Sequence, residues 1–253
     1  MLAWLDGRRV EALPAEPSGG RPGCFETMRV AHGEIPWLTA HRARLRASCE
    51  ALLPDLFPML EEAFEACRQL AGELGAPQAR MRLTAWMGDE RPHVAARLEA
   101  ATPERGPWRI GVGAGHPGPG AGAHKQTARV PWDRALAEAR RRGLDELLML
   151  DEAGRVVEGS RTSLFAVMDD GTVWTPPLTL GALPGVARAR ACDLLVRGGM
   201  EVRERVVSLE TLMAAREVIC TNAWLGAVPV ASLETGEVFE IHLGSWLATH
   251  LFD

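Results

Sequence analysis

Residues 113–129 read GAGHPGPGAGAHKQTAR, and the fold of the whole chain turns on how this stretch is read. Its first half contains GxGxxG at Gly113, Gly115 and Gly118, the spacing of a dinucleotide-binding turn. That motif needs a helix opening directly behind the glycines, so that free N–H groups of its first turn meet a pyrophosphate. Pro117 and Pro119 stand where the helix has to begin, and a proline both removes an N–H and turns its predecessor away from helical geometry. The dinucleotide reading fails, and 113–123 becomes a connection between a domain at 1–112 and one at 124–253. Just behind it stands Lys125, the only lysine of 253 residues, against 27 arginines. GC-rich coding explains the average preference for arginine. It does not explain which lysine stayed, and arginine cannot replace an amine that must lose its proton.

Working outward, the chain is 47% hydrophobic and 24% charged with a net charge of -5, a folded profile with no basic footprint for nucleic acid. No apolar run reaches the roughly 20 residues of a membrane helix, and the N-terminus MLAWLDGRRV lacks a signal-peptide layout. The five cysteines, Cys24, Cys49, Cys67, Cys192 and Cys220, include no CxxC pair and read as reduced thiols of a cytoplasmic protein. The histidines show no HExxH or HxH spacing, so no metal site is expected. Tyrosine is absent, which removes any phenol from the chemistry.

The N-terminal half reads as a small α/β unit. Asp6-Gly7 joins a hairpin, Pro14–Gly23 is a loop, and Phe25–Val30 and Glu34–Trp37 form a second hairpin across His32-Gly33. Thr39 caps a helix to about Leu53, and Pro54-Asp55 restarts one to about Leu74. Strands are predicted at Arg80–Trp86, Val94–Leu98 and Trp108–Val112. Beyond the connection, strands and helices alternate: a helix Trp132–Arg142, strands at Glu146–Leu150, Val156–Glu158, Leu164–Met168 and Thr172–Thr175, and a helix opening after Gly185. Strands at Glu201–Val207, Glu217–Thr221, Ala227–Ser232 and Glu237–Glu240 precede a terminal helix, and Ser208 caps a short one.

Several positions suit chemistry. An amine held at Lys125, partly desolvated and near arginines, becomes nucleophilic. Glu158 closes a strand ahead of the small residues Gly159 and Ser160, where a ligand can approach. Gly185-Val186-Ala187 opens a helix whose free N–H groups suit an anion. Arg44 sits beside the apolar stripe of its helix, and Asn222-Ala223 breaks the chain after a strand. Strand alternation puts Phe25, Thr27 and Arg29 on one face, opposite Glu26 and Met28.

CFETMRVAHGEI with LTAHRARL, then HKQTAR, EARRRGLDELLMLDEAGRVVEGSRTSLF, WTPPLTLGALPGVAR and VICTNAWLGAVPV together resemble the class IV aminotransferases, the fold-type IV pyridoxal-phosphate enzymes. The likeness runs from about Gly23 to Val230. It implies an α/β (α+β) fold of two domains, a small N-terminal α/β domain and a larger C-terminal pseudo-barrel, and pyridoxal 5′-phosphate as cofactor. By the resemblance, Lys125 matches the lysine that bonds the cofactor's aldehyde, and Glu158 the glutamate on its pyridine nitrogen. Arg44 matches the HxxRL arginine on its phosphate, Val186 and Ala187 the backbone donors at the phosphate-binding helix, and Asn222 with Ala223 a second phosphate-contacting turn. It also implies a homodimer acting on a small-molecule amino substrate. The chain departs from the family at Ala187, where threonine is frequent, at Ser163, where asparagine is usual, and at Arg161, a charge in a normally small run that would suit a substrate carboxylate. The lead-in Pro14–Gly23 is shorter and richer in proline and glycine.

Among the family's activities, the compact length and TNAWLGAVPV resemble the lyases that convert 4-amino-4-deoxychorismate to 4-aminobenzoate and pyruvate in folate biosynthesis. The alternative is an aminotransferase acting on branched-chain L-amino acids or on D-amino acids, the latter typically with tyrosine where Phe25 stands. On the lyase reading the freed Lys125 is the general base, Thr27 relays protons and Arg29 pairs with a substrate carboxylate.

Overall fold

In the computed structural model, which describes residues 1–15, 23–104 and 106–253, the chain divides into two units. Met1–Pro103 joins His124–Ala128, and Glu104–Ala123 joins Arg129–Asp253. Most of the loop expected at Pro14–Gly23 lies outside the described residues. No helix among the described residues is long and apolar enough to cross a membrane.

The first unit is a five-stranded sheet under two helices. Strands β1 (Leu2–Leu5) and β2 (Arg8–Val10) form the expected hairpin, Asp6 and Gly7 both taking positive φ. β3 (Gly23–Ala31) is followed by α1 (Leu38–Leu52), a 3-10 segment Pro54–Met59, α2 (Leu60–Glu73), β4 (Gln78–Met87) and β5 (Pro92–Ala100). The sheet order is β2-β1-β5-β4-β3. Cys24, Met28 and Val30 of β3 bury with Leu45 and Cys49 of α1 and Leu60, Phe64, Cys67 and Leu70 of α2. Three expectations give way here. The second hairpin is reduced to one bridge, Ala31 to Glu34, and β3 runs antiparallel to β4 instead; Pro36 has no N–H for a further rung. Trp37, at φ 59, takes the N-cap position expected of Thr39. The helix expected from Pro54 starts as the 3-10 turn, with Pro58 inside it.

The second unit is built on a nine-stranded mixed sheet. Its elements are β6 (Trp108–Gly115), α3 (Val130–Arg141), β7 (Glu146–Leu150), β8 (Arg155–Gly159), β9 (Ser163–Val167), β10 (Val173–Thr175) and α4 (Val186–Arg197). Then come β11 (Val202–Glu204), β12 (Val207–Ser208), α5 (Leu209–Met213), β13 (Glu217–Asn222), β14 (Gly226–Leu233) and α6 (His242–His250). The strand order is β11-β10-β9-β13-β14-β6-β7-β8-β12. Trp108, Ile110, Leu148, Leu164, Val218, Cys220, Val228 and Val230 form its main core. Ser208 caps α5, its hydroxyl accepting from Thr211 N–H at 3.0 Å.

The glycines of the connection behave differently from a linker. Gly113 and Gly115 lie inside β6, and Gly113, at φ +136, sits at a bulge in its pairing with β7, where two residues face one and the chain needs a glycine. The unit boundaries therefore differ from the expected 112/113 and 123/124. β6 runs on to Gly115 as a strand of the second unit, while His124–Ala128 returns to the first. The strand expected at Glu237–Glu240 is present only as isolated bridges.

Candidate active site

In the first unit the lone lysine is fixed by the sheet. Residues 124–128 lie along the outer edge of β3: Phe25 N–H donates to Lys125 O at 2.9 Å and Thr127 N–H to Gly23 O at 2.8 Å, with a bridge between Cys24 and Gln126. Pairing covers the free edge of β3 and sets Lys125 beside Phe25. Its Nζ stands 4.6 Å from the centre of the Phe25 ring, and the Arg82 guanidinium 3.6 Å from the same centre, both within cation–π range. Register sets Thr84 opposite Phe25, Arg82 opposite Thr27 and Arg97 opposite Arg82. Directly paired residues share a face, so Phe25, Thr27 and Arg29 line one side of the sheet with Arg82 and Arg97, as alternation predicted for β3. Arg82 was missed at the sequence level. The available signal was a charged residue at an alternating position of a strand whose other face is Met81 and Leu83, both wholly buried.

The opposite, helix-covered side holds Arg44. Glu26 is wholly buried there, and its carboxylate accepts from Arg44 Nε at 2.7 Å, Arg44 Nη2 at 2.6 Å and His41 Nδ1 at 2.8 Å. A carboxylate only accepts, so His41 carries its proton on Nδ1 towards Glu26. Burial alone would push the Glu26 carboxyl up, but Arg44 and His41 outweigh it and hold the group down to about 2. The Arg44 fork is thereby locked in one orientation.

In the second unit Glu158, at the end of β8, is 5% exposed and sits among donors. Trp132 Nε1–H donates to Oε1 at 2.7 Å, and Leu183 N–H to Oε2 at 3.0 Å. The turn that follows is pinned by Glu146, which is wholly buried and which local pattern gave no reason to single out. It accepts from Ser160 N–H at 2.9 Å and Thr162 Oγ1 at 2.9 Å, and from the Ser160 hydroxyl. Gly159 is required there, since a Cβ would lie 2.3 Å from Thr162 Oγ1. Arg129 Nη2 donates to Ser160 O at 2.6 Å.

Leu183 leads into Gly185, the N-cap of α4. The first-turn N–H groups at Val186 and Ala187 have no intrahelical partner. Ser163 Oγ stands 2.8 Å from where a Cβ of Gly185 would be, so the helix start rests directly on β9. Ser163 pairs with Thr221 across β9 and β13, and the buried Thr221 hydroxyl has no hydrogen-bond partner among the described residues. Beside it Asn222 Oδ1 accepts from Trp224 N–H at 3.0 Å and Leu225 N–H at 2.7 Å, which shapes the turn through Ala223. Arg161 is engaged elsewhere: it donates to Glu104 at 3.1 Å and lies 5.2 Å from the centre of the Trp108 ring.

A helix N-terminus, an orphaned buried hydroxyl and the Ser163 hydroxyl together fit an anion such as a phosphate. Residues 23–233 match the amino-transferase class IV family. The chain belongs to that family. It is 30% identical to the branched-chain-amino-acid aminotransferase of Salmonella typhimurium over 228 residues, 81% of this chain and 72% of that one. It is 28% identical to the aminodeoxychorismate lyase of Vibrio harveyi over 255 residues, 93% of each. The Escherichia coli branched-chain amino acid aminotransferase superposes with a TM-score of 0.86 at 24% identity, covering 99% of this chain and 93% of that one. That likeness is one of fold. Membership in the class IV family accounts for the two units, and the choice between lyase and aminotransferase rests on the residues of the site.

Proposed function

We infer that this chain binds pyridoxal 5′-phosphate and cleaves 4-amino-4-deoxychorismate to 4-aminobenzoate and pyruvate. When bound, the cofactor supplies an aldehyde that amines add to and a ring that accepts electrons. Lys125 would hold the aldehyde and Glu158 the pyridine nitrogen. Arg44, the N–H groups of Val186 and Ala187, and the turn at Asn222 and Ala223 would hold the phosphate. The hydroxyl that Ala187 lacks has substitutes nearby in Ser163 and the unpartnered Thr221.

The observation that carries the lyase reading is the sheet face beside Lys125. It offers Thr27 and the guanidiniums of Arg29, Arg82 and Arg97, which suits a substrate bearing more than one carboxylate better than a branched aliphatic side chain. Alignment with the Vibrio harveyi lyase over 93% of both chains supports the same choice. With the cofactor bound, Lys125 Nζ would take and return the proton, Thr27 Oγ1 would relay it, and Arg29 with Arg82 would hold carboxylates. Glu158 would accept a hydrogen bond from the pyridine nitrogen, which favours electron withdrawal by the ring. The second reading, amino transfer on branched-chain L-amino acids or D-amino acids, is favoured by the 30% identity to the Salmonella typhimurium enzyme.

Purified protein incubated with aminodeoxychorismate, and separately with L-leucine or D-alanine plus 2-oxoglutarate, separates the two. Release of pyruvate and 4-aminobenzoate without amino transfer supports the lyase; efficient transfer without lyase turnover overturns it. A cytoplasmic homodimer serving folate biosynthesis belongs to the same proposal.

A further inference from the structure

The glycine-rich stretch that misleads as a dinucleotide motif contributes one buried side chain to the surroundings of Glu158. His116 is 6% exposed. Its Nδ1 accepts from Gly118 N–H at 3.1 Å, and its Nε2 lies 3.4 Å from Glu158 Oε1. A ring nitrogen that accepts carries no proton, so the neutral ring has its hydrogen on Nε2, facing the carboxylate. The turn making that bond is sterically closed, because a Cβ on Gly181 would lie 2.2 Å from Gly118 O and 2.9 Å from His116 Cε1. His116 also meets the Trp132 ring edge-on, with centres 5.4 Å apart and planes at 88°. Trp132, from the first turn of α3, makes the shortest bond to Glu158, at 2.7 Å.

We propose that Trp132 and His116 are positioning residues for Glu158, fixing its carboxylate in the acceptor-only form and in one rotamer for a cationic ring nitrogen. The proposal rests on the reading that Glu158 meets the cofactor's pyridine nitrogen. All three partners of the carboxylate, Trp132 Nε1, Leu183 N and His116 Nε2, are donors, and donors of this kind match a carboxylate. Two of them converge on Oε1 and one on Oε2, which stops the group from rotating. Trp132, at 2.7 Å, carries more of this than His116, at 3.4 Å, because hydrogen bonds weaken with length.

The test uses the holoenzyme and the variants Trp132→Phe, Trp132→Gln, His116→Gln and Glu158→Gln. Trp132→Phe keeps the ring and removes the donor, whereas Trp132→Gln keeps an N–H donor and loses the ring. Losing a hydrogen bond to a charged group corresponds to about a tenfold effect. Trp132→Phe is therefore expected to lower kcat about tenfold with KM nearly unchanged, and to shift the pH dependence of the bound cofactor's visible band. Trp132→Gln recovers part of both, and His116→Gln shows a smaller change of the same kind. A second readout needs no turnover. Among the indole N–H resonances of the eight tryptophans, the Trp132 signal, assigned by triple-resonance experiments on the wild-type protein, should move on Glu158→Gln. If Glu158→Gln alters activity and spectrum while Trp132→Phe alters neither, or Gln at 132 behaves worse than Phe, the positioning role is overturned. If Glu158→Gln leaves both unchanged, the reading of Glu158 itself fails. A Trp132 resonance indifferent to Glu158→Gln overturns the hydrogen bond even where the Trp132 variants do not fold.

Discussion

Replacing Glu26 with glutamine removes a buried charge from between Arg44 and His41, and its consequences change with pH in a calculable way. The carboxyl lies at about 2 in the folded protein against an ordinary 4.5. A folded value below the unfolded one stabilises the fold fully above about 4.5, and that stabilisation fades as pH falls towards 2. At about 1.4 kcal/mol per unit the whole contribution is about 3 kcal/mol, of which about 2 kcal/mol is gone by pH 3. At pH 7 Glu26→Gln leaves the Arg44 guanidinium without its counter-charge, a change that typically costs about 3–5 kcal/mol. Urea unfolding of both proteins, followed by tryptophan fluorescence from pH 7 to pH 3, gives the difference in stability directly, and other carboxylates cancel in that difference. The gap is expected to narrow by about 2 kcal/mol over this range. A gap that stays constant would show that the charge of Glu26 contributes nothing through Arg44 and His41, and would refute the argument.

Other expectations are simpler. Borohydride should fix a pyridoxyl group on the wild-type holoenzyme and not on Lys125→Ala; fixation that survives the substitution removes Lys125 from the assignment. Arg82→Ala should raise KM for the lyase substrate about tenfold or more, the worth of a lost charged hydrogen bond, and an unchanged KM removes Arg82 from carboxylate recognition. Gly122→Ala puts a Cβ 2.1 Å from Gly181 O, whereas at Gly115 a Cβ meets nothing within 4 Å; the first is expected to lower the urea midpoint by the equivalent of about 1–3 kcal/mol, and equal effects at both sites would contradict it. Burial pushes Cys67 up to about 12 and Cys220 and Cys192 upward too, and the hydrogen bond that Cys49 donates to Cys24 raises Cys49 and lowers Cys24. Cys24, Cys49, Cys67 and Cys220 are all wholly buried, so reagent access and not acidity alone protects them. A thiol reagent at pH 8 should therefore modify the native protein rapidly at Cys192 at most, and rapid reaction of two or more thiols would disprove this.

Much of the proposed site could be read from local chemistry. Lys125 stood out because arginine cannot do what its amine does, and Glu158 because small residues follow a strand end. The start of α4 was visible in Leu183-Pro184-Gly185, and the Phe25, Thr27, Arg29 face followed from the two-residue period of a strand. The misses have one cause. Arg82 faces the same way as Phe25 because β4, about 55 residues later in the chain, is β3's partner, and an antiparallel register over that separation leaves no local trace. Glu146 reads as a polar residue opening a strand, yet it is the buried acceptor that holds the Ser160–Thr162 turn. His116 lies within the connection and Trp132 beyond it, and only the fold brings the two rings together against Glu158.

The sequence by itself determined that 113–129 is no nucleotide-binding turn, since two prolines forbid the helix, and that one residue alone supplies a primary amine from a side chain. It also set most of the strands and helices, because periodicity, capping and glycine placement act within a few residues of one another. The strand expected at Glu201–Val207 is the exception of most consequence, since it divides into β11 and β12 at opposite edges of the sheet. Tertiary structure alone decided where the connection belongs. Gly113 forms a bulge and Gly115 pairs with Leu150 within a strand of the second unit, and the segment carrying Lys125 completes the edge of β3 in the first. That division depends on which backbone N–H and C=O groups find partners across the fold, a long-range choice that local residue preferences do not encode.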